Sequence, residues 1–257
     1  MNRTGLIVAL IIAAAVGLAF GLFPQLDLAI AAQFYPVVDV HNNHFAWRLS
    51  QSLSSARDIG LWVGTVLVAP AVVATLVKLI WPRRKMFVSG SAAQFLMATL
   101  ALGPGLLANV LLKDHWGRPR PIDVTQFGGD QHFVAWWDPR GDCPGNCAFV
   151  SGDVSGAFWT LAPAALAPPQ WRALAYGAAL ALGVGMAAIR MMAGAHFFTD
   201  TVFAGIFTFM IIWIAHGFIY RWPRTRLAPD AVENVLARIA VPTWLAGLFG
   251  GKTKTSR

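Results

Sequence analysis

Charge is the scarcest property of this 257-residue sequence: only 12% of it is Asp, Glu, Lys or Arg, about half the quarter usual in soluble domains. With 56% hydrophobic residues and a mean hydropathy of +0.56, too little polar surface is left for a water-soluble globule. Acidic residues are rarer than basic ones, 12 against 20, and a net charge of +8 raises the question of nucleic acid. The basic residues, however, sit in short clusters between apolar runs, the pattern of membrane loops rather than of a nucleic-acid surface. Cysteine is limited to two residues, and without a histidine partner at zinc-finger spacing they argue against a metal site. Internal repeats and low-complexity linkers are also missing, so the length suits one membrane domain.

Long apolar runs are what the sequence has instead. Stretches able to cross roughly 30 Å of hydrocarbon lie near residues 5–23, 59–80, 88–112, 153–169, 172–189 and 197–219, predicting an all-α protein of six transmembrane helices. The first is too long for the apolar core of a typical secretory signal and reads as a retained span. Six crossings put both termini on one side. The segments on that side carry Arg3, then Arg83, Arg84 and Lys85, then Arg172, then Arg221, Arg224 and Arg226, which marks the cytoplasm. Trp81, Trp171 and Trp222 stand at the same ends, as interfacial aromatics or simply as packed ones. Residues 1–228 form the expected membrane domain. In 229–257, Val232, Val235, Leu236 and Ile239 share one face of an amphipathic helix on the cytoplasmic surface, followed by a basic tail.

Two larger segments face outward. In Pro24 to Asp58, LDLAIAAQF reads as a short surface helix of structural character, and His41 and His44 as exposed histidines without metal-ligand spacing. Lys113 to Ser151 carries more. It opens with KDHWGRPRP, placing Lys113, Arg118 and Arg120 together, where unpaired charge beside a membrane is expensive unless it serves something. A basic loop attracted to anionic headgroups is the alternative. Pro119 and Pro121 restrict the backbone around Arg120. The segment closes on Val150-Ser151-Gly152-Asp153 at the start of a span, where backbone N–H groups can meet an anion, or where Ser151 or Asp153 is an ordinary N-cap. Cys143 and Cys147 face the same exported side, and a disulfide across GDCPGNC is expected there.

The third cluster is IRMMAGAHFFTD, Ile189 to Asp200. Arg190 can fork onto a phosphate-like anion, His196 can attack or shuttle a proton, and Asp200 lies one helical turn on, able to orient the imidazole. The bland alternative is a helix-end arginine and a core histidine satisfied by its aspartate.

In order and spacing these three clusters resemble the type 2 phosphatidic acid phosphatase family, which shares its site with vanadium haloperoxidases. Its motifs are KxxxxxxRP, PSGH and SRxxxxxHxxxD. The first is complete from Lys113 to Pro121; the third has Ile189 in place of serine; the second reads VSGD, departing at Val150 and Asp153. The resemblance implies that Lys113, Arg120, Arg190, Ser151 and the Gly152 N–H bind the phosphoryl group, with no metal or cofactor. It further implies that His196 attacks phosphorus to form a phosphohistidine while Asp200 holds its ring. The family's histidine at position 153 is assigned as the leaving-group acid, whereas an ordinary aspartate, with a pKa of about 3.9, is ionised at neutral pH. Three resolutions follow: burial makes Asp153 a proton donor, His115 or His132 substitutes for it, or the leaving group is acidic enough to depart unaided. The function implied is hydrolysis of phosphate from an anionic lipid on the outer leaflet of a bacterial inner membrane. Lipid A is favoured over polyprenyl diphosphate or phosphatidylglycerophosphate, and no nucleic-acid partner is implied. A lipid phosphotransferase and a non-catalytic anion binder are the alternatives.

Overall fold

The computed structural model describes residues 3–35, 45, 47–228 and 230–240; His41, His44 and the basic tail lie outside these. Their regular secondary structure is helical, with no strand beyond one isolated bridge between Val124 and Gln131. The helices are α1 (Arg3–Leu22), α2 (Gln25–Ala32), α3 (Gln51–Ile80), α4 (Gly90–His115), α5 (Gly152–Trp159), α6 (Leu161–Leu166), α7 (Pro169–Met192), α8 (Phe198–Arg221) and α9 (Ala231–Ile239). Five of them, α1, α3, α4, α7 and α8, are long and apolar enough to cross a membrane. Their outer faces carry exposed Ile7, Ile11, Leu18, Trp62, Leu174 and Val184, as helices solvated by lipid should.

The segment expected to supply a sixth crossing at 153–169 is instead two short helices, α5 and α6, which together run only ~22 Å. The reason is local. Pro163 has no N–H to give the Trp159 carbonyl four residues back, and its ring crowds that carbonyl. Thr160 adapts by bonding three residues back, both its N–H (3.2 Å) and its Oγ1 (2.7 Å) reaching the Ala157 carbonyl. Pro168 and Pro169 then end one helix and begin the next, proline at the first turn of α7 costing no hydrogen bond. Buried Leu161, Ala162, Ala164 and Ala165 show that this broken pair is enclosed by protein.

Two compact units make up the chain. The first comprises Met1–Thr65 with Thr99–Ile214 and contains all three motif clusters. In it α5 packs on α7 and on the Ala101–Leu112 part of α4, over a core of Phe149, Val154, Ala157, Met186 and Phe203. Trp136 stacks on Phe203 with ring centroids 4.3 Å apart, and Trp116 donates its indole N–H to the Trp136 carbonyl (2.8 Å), fixing the long loop between α4 and α5 onto this core. The second unit comprises Val66–Ala98 with Ala215–Arg257. There Lys78, almost fully buried, is neutralised by Glu233 of α9 at 3.3 Å and capped by the Arg84 carbonyl at 2.9 Å. The amphipathic helix foreseen from its apolar face is α9, whose Val232 lies against Gly90.

Candidate active site

The backbone stitches the three clusters together before any side chain acts. Ala148 N–H donates to the Arg118 carbonyl (2.8 Å), Ile122 N–H to the Gly194 carbonyl (3.1 Å) and Ser151 N–H to the Asp200 carbonyl (3.4 Å). The turn that presents His196 depends on Gly194. Helix α7 ends at Met192, Ala195 N–H returns to the Arg190 carbonyl (3.1 Å), and Gly194 sits at φ 65° with Phe45 against the place a Cβ would occupy. Only glycine suits both the left-handed backbone and that contact.

His196 is buried, and its Nδ1 lies 2.8 Å from the Ala148 carbonyl. A carbonyl only accepts, so Nδ1 carries the proton and Nε2 keeps its lone pair. Burial above all, then the charges of Arg190 and Arg120, hold the imidazole pKa well below its ordinary 6.5, so the ring is neutral at neutral pH. Asp200, expected to hold the ring by a hydrogen bond, is instead 3.9 Å from Nδ1. Its carboxylate is committed elsewhere, to the Phe197 N–H (2.7 Å) and to Arg118. Asp200 thus acts on His196 by proximity of charge, and the Ala148 carbonyl does the orienting.

Arg118 is the side chain that the motif reading left without a role. It is fully buried, paired with Asp200 through Nη1 and with Asp27 through Nη2 at 2.8 Å, and it lies over the Phe197 ring at 4.6 Å. Thr199 completes the set, accepting from Arg118 (2.8 Å) while its Oγ1 and N–H donate to Asp27 at 2.6 and 3.1 Å. Helix α2 is therefore more than a surface helix: it delivers a buried carboxylate to the back of the site. Asp27 carried a signal in the sequence, as a lone acid in the apolar run LDLAIAA, where burial without a partner is prohibitive.

On the other side of His196 the side chains are cationic. Arg190 and Lys113 project from the ends of α7 and α4, and Arg120 from the loop, where Nε and Nη2 reach the Asn146 carbonyl at 3.1 and 2.7 Å. Asn146 takes a positive φ of 53°, one of the few conformations in which asparagine replaces glycine cheaply. Ser151 is the N-cap of α5, its Oγ accepting from Val154 N–H at 3.4 Å, so the ordinary capping role is filled. Gly152 follows because a Cβ there would run into the Asn109 side-chain amide.

Asp153 has partners that change its reading. Arg57 of α3, which no motif marked, donates to it from Nε at 2.7 Å and from Nη2 at 3.3 Å, and Arg190 Nε stands 3.2 Å from the same carboxylate. Two guanidinium groups favour the ionised carboxylate, so Asp153 does not fit the role of a proton donor. The suggested substitutes are both exposed and neither is hydrogen-bonded to His196 or Asp153 among the described residues: His115 Nδ1 is turned 3.1 Å from the Val110 and Leu111 carbonyls of its own helix, and His132 lies in the loop between α4 and α5. Arg190 Nε, buried and ion-paired with Asp153 at 3.2 Å, makes no well-aligned hydrogen bond among the described residues. Cys143 and Cys147 are bridged, with Cα atoms 5.8 Å apart. Among the described residues no group of three or more His, Cys, Asp or Glu could hold a metal ion.

Comparison with known proteins gives this geometry a lineage. Residues 92–226, which include every motif, match the PAP2 superfamily. The lipid A 4'-phosphatase of Francisella tularensis subsp. novicida is 32% identical over 225 residues, covering 86% of this chain and 98% of that protein. The lipid A 4'-phosphatase of Rhizobium leguminosarum is 41% identical over 106 residues, 41% of this chain and 46% of that one. Among solved structures, a PAP2-type phosphatidylglycerolphosphate phosphatase from Bacillus subtilis superimposes with a TM-score of 0.52 at 17% identity, covering 86% of this chain and 96% of that chain. This last likeness is one of fold.

Proposed function

The chain belongs to the PAP2 superfamily, and from that premise we propose that it is a membrane lipid phosphatase that removes the 4'-phosphate of lipid A. The substrate and the position follow the names of the relatives, of which the Francisella tularensis subsp. novicida protein aligns over almost its whole length. The observation that carries the chemistry is His196: a neutral imidazole whose Nδ1–H is tied to Ala148, with cations around it and the start of α5 adjoining.

In this reading Lys113, Arg120 and Arg190 take the phosphoryl oxygens, together with the Gly152 N–H at the positive end of α5. Arg190 exchanges part of its contact with Asp153 for phosphate. Nε2 of His196 forms the N–P bond as the P–O bond to the sugar breaks, and the positive charge spreading over the ring is offset by Asp200 at 3.9 Å. The sugar oxygen takes its proton from water, because Asp153 is engaged by Arg57 and Arg190. Water then cleaves the N–P bond and releases phosphate. Fixed cations and backbone dipoles supply the charge stabilisation, and no metal is required.

For the membrane, we propose that the broken pair α5–α6 makes the fourth of six crossings, its short length tolerated because protein rather than lipid surrounds it. Both termini are then cytoplasmic, and the site opens at the outer face of a bacterial inner membrane. The test is phosphate release by purified, detergent-solubilised protein without divalent metal. Lipid A, undecaprenyl diphosphate, phosphatidylglycerophosphate and phosphatidic acid are compared, and mass spectrometry of the product reads the 1- and 4'-positions. Loss of the 4'-phosphate, absent with His196→Ala, is expected. Release from another lipid alone, or from the 1-position, would displace lipid A 4'-phosphate as the substrate.

A further inference from the structure

At the opposite end of the same unit, α1, α7 and α8 border a cavity of about 840 Å³, open along the side where Val8, Ile12, Leu180 and Val184 are exposed, that the catalytic chemistry does not use. Val8 and Ile12 of α1, Leu180 and Val184 of α7, and Ile206 and Phe209 of α8 make its wall apolar. Its polar groups gather at one end, where Arg172, Tyr176 and Thr4 line it. Arg172 spends only Nε on the protein, donating to the Ala167 carbonyl at 3.1 Å; its terminal nitrogens have no partner among the described residues. Tyr176, one helical turn along the same face, has a buried hydroxyl with no hydrogen-bond partner among the described residues. A cation and an orphaned donor side by side ask for an anion. The first turns of α1 and α7 lie at this end too, and their dipoles favour the same charge.

Distance along α7 identifies which lipid could bring that anion. Arg172 and Arg190 are 18 residues apart on one helix, ~27 Å, so they mark opposite faces of a hydrocarbon layer about 30 Å thick. From Arg172 to Val184 is ~18 Å, close to the depth of one leaflet, roughly 15 Å. A lipid reacting at His196 has its chains in the other leaflet and cannot place its phosphate at Arg172. We propose that this cavity binds one anionic glycerophospholipid of the leaflet facing away from His196, its phosphate on Arg172 and the Tyr176 hydroxyl and one acyl chain along the apolar wall.

Native mass spectrometry of the full-length protein in mild detergent, titrated with phosphatidylglycerol and with diacylglycerol of identical chains, which lacks the phosphate, tests this. Wild type should retain one phosphatidylglycerol, bound roughly tenfold more tightly than diacylglycerol. Arg172→Ala should remove that preference, a charge-assisted bond being worth about a factor of ten or more. Tyr176→Phe should weaken it about threefold, consistent with one neutral bond. Both variants should release phosphate as wild type does, which shows that they are folded. Equal retention of the two lipids by wild type, several equivalent lipids per chain, or an unchanged preference in Arg172→Ala would overturn the proposal.

Discussion

Two charged regions flank His196, and they are built on opposite principles. Behind it, Asp27, Arg118, Thr199 and Asp200 saturate one another: every donor of Thr199 is used, and Arg118 bonds two carboxylates, a hydroxyl and the Val134 carbonyl. In front, Arg57 and Arg190 share Asp153, Arg57 also reaching Asp58 at 3.2 Å, while Lys113 and Arg120 have no ion-pair partner among the described residues. A closed network holds a shape, whereas an open, over-positive one is waiting for its counter-ion. Reading a cation's role therefore requires counting its partners. Arg118 and Arg120 are two residues apart in one motif and belong to different regions.

The comparison breaks most sharply with His196→Ala. Phosphate release should fall roughly 10⁴-fold or more, with thermal unfolding in detergent little changed, because the proposed nucleophile is gone and the rest remains. Arg118→Ala should act the other way round. It leaves Asp27 and Asp200 buried and unpaired, at a cost of about 3–5 kcal/mol, seen as a lowered unfolding temperature and poor yield. Lys113→Ala and Arg190→Ala should each lower kcat/KM about 10²- to 10³-fold without that loss of stability. An unfolding shift as large as that of Arg118→Ala would erase the distinction between the two regions.

Smaller effects sharpen it. Protonating His196 removes the lone pair, so activity falls as pH drops. With the pKa held well below 6.5 by burial, Arg190 and Arg120, that fall in kcat/KM belongs below pH 6.5. An acid limb centred at 6.5 or higher would mean that the ring titrates as if exposed. Asp153→Asn should stay within about tenfold of wild type in kcat/KM and bind product phosphate more tightly, since one negative charge leaves the cationic region. A much larger loss of kcat would restore Asp153 as the acid.

What was legible in the sequence follows the same division. That Lys113, Arg120, Arg190 and Asp200 converge near His196 could be read because the family pattern fixes their spacing, and the Ser151 cap because a capping residue announces a helix start locally. Asp27 and Arg57 come from 172 and 96 residues away from the groups they bond, a pairing that no periodicity encodes. The histidine's orienter was missed for a different reason. A backbone carbonyl has no letter, so sequence offered Asp200 for a bond that Ala148 makes. Five of the expected crossings are long helices. The remaining stretch, near 153–169, is interrupted at Thr160, and Pro163 was there to be weighed as a breaker.

The small ring closed by Cys143 and Cys147 has a meaning beyond stapling. A loop that short restrains little of the unfolded chain, so its direct contribution to stability belongs at the low end for a disulfide. Yet the ring contains Asn146, whose carbonyl is the rest on which Arg120 leans, and Cys147, whose N–H holds the Lys113 carbonyl at 2.8 Å. The bond therefore acts as a splint for the backbone that holds Lys113 and Arg120 in place. A chain that has inserted fully but has not met an oxidant would have its fold and lack its aim.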